Sequence, residues 1–304
     1  MVRKFPQINL IFSIVFLIAQ EPVNHQIIYQ SVSGAINPQL SPDGHYLSFT
    51  SPNYAGLYLF NMVDKSVIEI TDEFAAGFGY GWSPSGSSIA YKPALFLGKR
   101  RYNSLVIYNI ETGGKIIAIS EKTKLPGKIR WIDGNKIILS GNIGESVIHE
   151  ISRKNLSQQE YYNFEKNTIY LLREKASTKT VFFTNKKEIH DLVVSPQKTH
   201  ILFEEYGGNL IILNVENHST INLGIGHETE WSPDGNIIVF MRTSDDGHTI
   251  TQSDIYIVNS DGTNLTNLTK GINLIAMRPT WVDNTHIIYD TDANNTLYMV
   301  EVQR

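Results

Sequence analysis

Residues 231–269 read WSPDGNIIVFMRTSDDGHTITQSDIYIVNSDGTNLTNLT. Trp231 ends one strand. Pro233 fixes φ near −65°, and Asp234-Gly235 supplies a side-chain acceptor and a residue free to adopt positive φ, so the chain reverses there. Ile238 and Phe240, two apart, put apolar groups on one face of the next strand, where they pack against a neighbouring unit. A further strand, Asp254 to Val258, leads into Asp261-Gly262, the strongest two-residue hairpin signal in the chain.

The same grammar recurs along the chain. Ser41-Pro42-Asp43-Gly44 precedes Leu47 and Phe49, and Ser83-Pro84-Ser85-Gly86 precedes Ile89 and Tyr91. Weaker copies begin at Trp131-Ile132-Asp133-Gly134, Ser195-Pro196-Gln197 and Trp281-Val282-Asp283-Asn284. The third turn residues of the six copies, Asp43, Ser85, Asp133, Gln197, Asp234 and Asp283, are 42, 48, 64, 37 and 49 residues apart, the length of a four-stranded sheet with its turns. No window holds a helical apolar period against the Gly, Pro, Asn and Asp breakers, so the class is all-β.

One four-stranded sheet cannot bury both its faces, and radial stacking closes an array without long edges. The expected architecture is therefore a six-bladed β-propeller of four-stranded antiparallel blades. The last copy has three strands before the chain ends, and an unclaimed run, Gln26 to Val32, stands before the first copy. That run is expected to join the last blade and close the ring. The 64-residue interval is about 20 too long, which predicts extra strands or a projecting hairpin on the third blade, with a degenerate seventh blade as the competing reading.

Of the 304 residues, 41% are hydrophobic and 18% charged, enough apolar surface for a core. There is no cysteine, so disulfides, thiolate metal sites and cysteine nucleophiles are excluded. Twenty-six Lys and Arg against 30 Asp and Glu give no basis for nucleic-acid binding. Arg3 and Lys4 precede the apolar run Ile8 to Ala19, the pattern of a secretory signal. Residues 1–19 are expected to be that signal and 20–304 the propeller, working in the periplasm or after secretion. With the signal removed, no integral membrane span is expected; an uncleaved anchor is the alternative.

The quoted turns and strands resemble the WD40-like (PD40) repeat of the TolB family, whose pattern runs W-S-P-D-G-x-x-I-x-F, then D-I-Y, a D-G turn and L-T. Residues 231–269 match nearly throughout, 40–72 and 82–120 in part, and the other copies mainly at the turn. The resemblance implies the propeller fold. For activity it implies less, since the repeat serves in periplasmic binding proteins, in propellers of prolyl-oligopeptidase-like peptidases and in oligogalacturonate lyases. The separate α/β domain that precedes the TolB propeller finds no counterpart here, which argues against a Tol-Pal role, and no G-x-S-x-G elbow supports serine hydrolysis.

Candidate sites are few. His190 and His227 hold the same place in successive copies, seven residues before Gln197 and Asp234, with Asp191, Glu188, Glu228 and Glu230 alongside. Two imidazoles and a carboxylate suit a divalent metal, and the resemblance to the lyases implies the same; channel-lining histidines without metal are the plainer reading. Asp245 and Asp246 lie in a long loop of the fifth copy. Lys99, Arg100 and Arg101, followed by Tyr102, form the one compact basic cluster, suited to an anionic glycan, a lipid headgroup or an acidic partner. Phe74, Phe78, Tyr80 and Trp82 offer either a stacking surface or blade packing. The expectation is an exported, monomeric, non-enzymatic module without cofactor that binds a protein or peptide through one face or the channel mouth. The alternative is a metal-dependent, polysaccharide lyase-like propeller using His190 and His227.

Overall fold

The computed structural model describes residues 25–31, 34–123, 125, 127–133, 136–140, 147–150, 160–173, 178–291 and 296–303. The expected signal at 1–19 lies outside them. The turn motif forms by local chemistry. In the sixth sheet the Ser232 hydroxyl donates to Asp234 Oδ1 (2.6 Å), Asn236 N–H donates to the same oxygen (3.2 Å), and Ile237 N–H donates to Ser232 Oγ (3.0 Å). Gly235, at φ 64°, takes the left-handed place that reverses the chain. Ser41, Asp43 and Gly44 repeat this network in the first sheet, with Ser41 donating to Asp43 at 2.6 Å and Gly44 at φ 75°.

Each turn joins the first two strands of an antiparallel sheet. In chain order the sheets comprise Ile36–Leu40, Tyr46–Thr50, Leu57–Asn61 and Val67–Thr71; then Gly81–Trp82, Ser88–Tyr91, Arg100–Asn109 and Lys115–Lys122, with Ala94–Leu97 paired to Arg100–Asn109; then Lys128–Asp133, Lys136–Ser140 and Val147–Glu150. The fourth holds Glu160–Glu165, Thr168–Arg173 and Thr178–Thr184. The fifth holds Ile189–Val194, His200–Glu205, Asn209–Asn214 and Thr220–Ile225, and the sixth His227–Trp231, Ile237–Asp245, Ile250–Asn259 and Thr266–Asn267. The last holds Ala276–Trp281, His286–Thr291, Thr296–Glu301 and, on its outer edge, His25–Gln30. One 3₁₀ turn, Pro52–Tyr54, is the sole helical element among the described residues.

The all-β propeller is as expected, and so is its closure: His25–Gln30 pairs antiparallel with Thr296–Glu301, with His25 opposite Val300 and Gln30 opposite Thr296. The six blades that the turn motif marks are all present. The long interval resolves differently from a hairpin on the third blade. Among the described residues the strands Glu160–Glu165, Thr168–Arg173 and Thr178–Thr184 pair only with one another and stand as a separate three-stranded sheet, the competing reading for this interval, so seven described sheets surround the channel. The third sheet likewise shows three described strands rather than four.

The core lies between sheets, and period-two alternation builds it. Ile237, Val239 and Met241 face the last sheet at Trp281, Ile287 and Tyr289, while Ile238 and Phe240 face the fifth at Leu202 and Ile212. Likewise Ile288 packs toward Leu47 and Phe49 of the first sheet. Burial on both faces is why these strands read as continuous apolar runs.

Candidate functional site

First strands run from one face of the ring toward the turn motif, and their side chains line a central cavity of about 550 Å³. Counting back from the residue that follows each first strand's closing position, Ser41, Ser83, Ile132, Ser195, Ser232 and Val282, gives two rings. Four residues before it stand Asn37, Gly79, Lys128, Asp191, Glu228 and Arg278; two before it stand Gln39, Gly81, Arg130, Val193, Glu230 and Thr280. All except the two glycines line the cavity, joined by Glu160, Tyr161 and Tyr162 of the fourth sheet. Residues two apart share a face of a strand, so one repeat position becomes one ring of the channel.

The outer ring is shaped by irregular backbone. Asn37, Gly79, Glu228 and Arg278 have φ of 55°, 62°, 48° and 47°. Pairing registers shift across Asn37, Glu228 and Arg278, and such bulges re-aim side chains. The inner ring is held by tryptophan. Trp131, Trp231 and Trp281 indole N–H groups donate to the carbonyls of Gly81 (2.9 Å), Val193 (3.3 Å) and Glu230 (3.4 Å) in the preceding repeat-bearing sheets. Gly81 must be glycine here, since a Cβ would come within 2.9 Å of the Ile129 carbonyl oxygen.

Charges dominate the mouth. Lys128 Nζ reaches across from the third sheet to Asp191 Oδ2 and Glu228 Oε2, 3.0 Å from each. Burial alone would lower the Lys128 pKa, but attraction to the two carboxylates outweighs it and raises the pKa. Asp191 shows the converse: burial pushes its carboxyl up, yet the Lys128 charge and the Leu192 N–H bring it below its ordinary value. Arg130 is held by the Tyr162 carbonyl (2.8 Å) and Asn163 Oδ1 (3.1 Å), with burial drawing its pKa down. Arg278 grips the wholly buried Asp290 with two hydrogen bonds, at 2.7 and 2.5 Å.

Glu230 is set apart. Desolvation pushes its carboxyl up to about 7, offset in part by the Thr280 hydroxyl and the Trp281 N–H (3.3 Å). The folded pKa thus exceeds the ordinary 4.5. Below 4.5 both states hold the proton; between 4.5 and about 7 only the folded state holds it, so stability falls as pH rises, and above about 7 the full cost is present. Glu230→Gln is expected to remove this slope and to exceed the parent in stability above pH 7 by about 2–3 kcal/mol, measured by urea unfolding across pH. The difference between the two proteins isolates Glu230 from His227, whose pKa is raised first by its hydrogen bond to Glu204.

The residues expected from sequence fall around this site rather than in it, apart from Trp82, Asp191, Glu228 and Glu230. His190 and His227 sit one residue before the outer ring. His190 is exposed, and His227 Nδ1 meets Glu204 Oε1 at 2.9 Å. Among the described residues no group of three or more His, Asp or Glu gathers as a metal site. Asp246 Oδ1 accepts from His248 and Thr249 N–H, capping the tip of the hairpin that contains Asp245. Arg100 and Arg101 lie on the hairpin of the second sheet. Connections between second and third strands, and from one sheet to the next, share the face of the channel mouth, so both hairpins stand on that face. Tyr80 and Trp82 are buried blade packing, with Trp82 Nε1 donating to Ser48 Oγ at 2.8 Å, whereas Phe74 and Phe78 are exposed. Three residues before Trp131, Trp231 and Trp281 stand Lys128, Glu228 and Arg278, so the repeat position is readable in the sequence although its placement in the channel is not.

Fold and site define a β-propeller with a charged, self-paired channel mouth. Among solved structures the chain is similar to one in a mitotic checkpoint complex (13% identity, TM-score 0.61, 100% of this chain and 98% of that one). It is also similar to the Cps50 (Swd1) β-propeller domain of Myceliophteria thermophila (8% identity, TM-score 0.63, 92% of this chain and 100% of that one). At these identities the likeness is one of fold. No protein-family model and no curated protein matches the sequence. No helix among the described residues is long and apolar enough to cross a membrane.

Proposed function

We propose that this propeller is a binding module that receives a protein or peptide segment at the channel mouth. The observation that carries the reading is the outer ring. Lys128 is about half exposed (49%) and Glu228 nearly so (40%). Partly solvated ion pairs are each worth little, so a partner's own charges can replace them at small cost. The buried Arg278–Asp290 pair holds the wall while this exchange occurs. One structural neighbour, a chain in a mitotic checkpoint complex, favours the reading in kind. The TolB-like repeat and the apolar run Ile8 to Ala19 further favour a role outside the cytoplasm, which fractionation of native cells tests directly.

A photo-crosslinking residue replacing Lys128 tests the site, with the same residue replacing Glu111 as the control. Glu111 is exposed between the last two strands of the second sheet, on the opposite face. Adducts with a discrete partner are expected from position 128 and not from 111. Equal labelling at both positions, or none at 128, overturns binding at the mouth.

A further inference from the structure

The second sheet carries a feature that the channel does not use. Between its second and third long strands the chain makes an extra hairpin, Ala94–Leu97 against the start of Arg100–Asn109, turning at Gly98-Lys99. Leu95 pairs with Tyr102, Phe96 with Arg101 and Leu97 with Arg100, so one strand of the tip is apolar and the other cationic. Leu95, Phe96 and Leu97 are 53%, 54% and 52% exposed. The hairpin is tied to the body by Ala94 N–H donating to the Phe74 carbonyl (2.8 Å) and by the Phe74–Phe96 ring contact at 5.7 Å. Arg101 lies over the Phe74 ring at 5.9 Å. Lys99, Arg100 and Arg101 form no salt bridge among the described residues.

Two observations together identify the occupant. Successive residues of a strand point to opposite faces, so Leu95 and Leu97 are exposed on one side of the ribbon and Phe96 on the other. A groove in a folded protein covers one side; a bilayer interface surrounds both. Three consecutive cations at the same tip complement anionic headgroups, while the neighbouring apolar side chains reach the acyl boundary. We propose that this hairpin seats the propeller on a bilayer surface bearing anionic lipids, with Leu95, Phe96 and Leu97 inserted and Lys99, Arg100 and Arg101 at the phosphates.

Vesicle co-sedimentation of the full chain tests this. Phosphatidylcholine vesicles containing about one quarter phosphatidylglycerol are expected to bind, pure phosphatidylcholine much less, with binding weakening as salt rises. The triple variant Lys99→Glu, Arg100→Glu, Arg101→Glu is expected to lose about a hundredfold in binding, as is Leu95→Ser, Phe96→Ser, Leu97→Ser. The apolar run at Ile8 to Ala19 is common to all these proteins and cancels in the comparison. A Phe96→Trp variant places the contact independently of either triple variant's folding. Its added emission should shift to the blue on mixed vesicles and be quenched by brominated acyl chains. Binding that survives both triple variants, equal binding to neutral vesicles, or an unquenched Trp on bound protein overturns the proposal. So does a tip that captures a protein and binds no vesicle.

Discussion

Asp290→Ala is expected to lower the free energy of unfolding by about 3–5 kcal/mol, as removal of one partner of a buried pair does. Asp290 is wholly buried and accepts hydrogen bonds from two sheets. The Arg278 guanidinium holds both its oxygens, and the Asn37 backbone N–H donates to Oδ2 at 2.7 Å. Arg278 belongs to the last sheet and Asn37 to the first, so one carboxylate ties the two sheets that close the ring. Losing it strands a guanidinium that is only 11% exposed and leaves a backbone N–H without its acceptor. Asp290→Asn keeps the volume and one acceptor but leaves the charge unbalanced, and should recover only part of the loss. Arg278→Met combined with Asp290→Leu removes both charges and should recover more. Urea unfolding of the three proteins checks the order; a loss below about 1 kcal/mol for Asp290→Ala would put the ring closure elsewhere.

This pair also shows what was legible in the chain. The Ser-Pro-Asp-Gly turns could be read because their chemistry is local: Ser232 and Asp234 bond within five residues of one another. Alternation made the blade strands equally plain. The fourth sheet was legible only as extra strands or a competing degenerate blade, because its first turn is Lys166-Asn167, with Lys166 at φ 52° and no Ser-Pro to match the repeat. The pairing of charges across the channel escaped for a different reason. Asp290 meets Asn37 across 253 positions, and Lys128 meets Glu228 across 100, contacts that exist only once the ring has closed. Attention to chemistry-bearing residue types led to His190 and His227, one position away from the ring. In the first, fifth, sixth and last sheets a register shift near the start of the first strand decides which neighbour enters the channel, and single-sequence pattern does not reveal a bulge.

Removal of residues 1–31 is expected to destabilise the propeller by about 5 kcal/mol and to make it self-associate. The strand His25–Gln30 is the outer edge of the last sheet. Its loss turns Thr296–Glu301 into an open edge with unpaired N–H and C=O groups, a template for a second chain. Side chains add to the cost. Tyr29 packs at 5.0 Å from the Phe49 ring and 5.1 Å from the Phe60 ring, both in the first sheet, so the strand paired to the last blade also grips its neighbour. His25 Nδ1 shares a hydrogen bond of 2.8 Å with the Tyr289 hydroxyl. Deleting an aromatic contact of this kind costs about 2–3 kcal/mol when partly buried, and the lost hydrogen bond about 1 more, with the exposed edge making up the rest. Tyr29→Ala alone should therefore reproduce about half of the loss without creating an edge. The two proteins separate the causes: both melt lower, but only the truncated one should run as dimer or larger by size exclusion, and adding a His25–Gln30 peptide should shift it back toward monomer. In a chain without cysteine, closure rests on this non-covalent strand and on the Asp290 tie, which act on the same pair of sheets. Since one contacts the outer edge and the other the channel wall, their losses should add to within about 0.5 kcal/mol in the combined variant if each grips the closure independently.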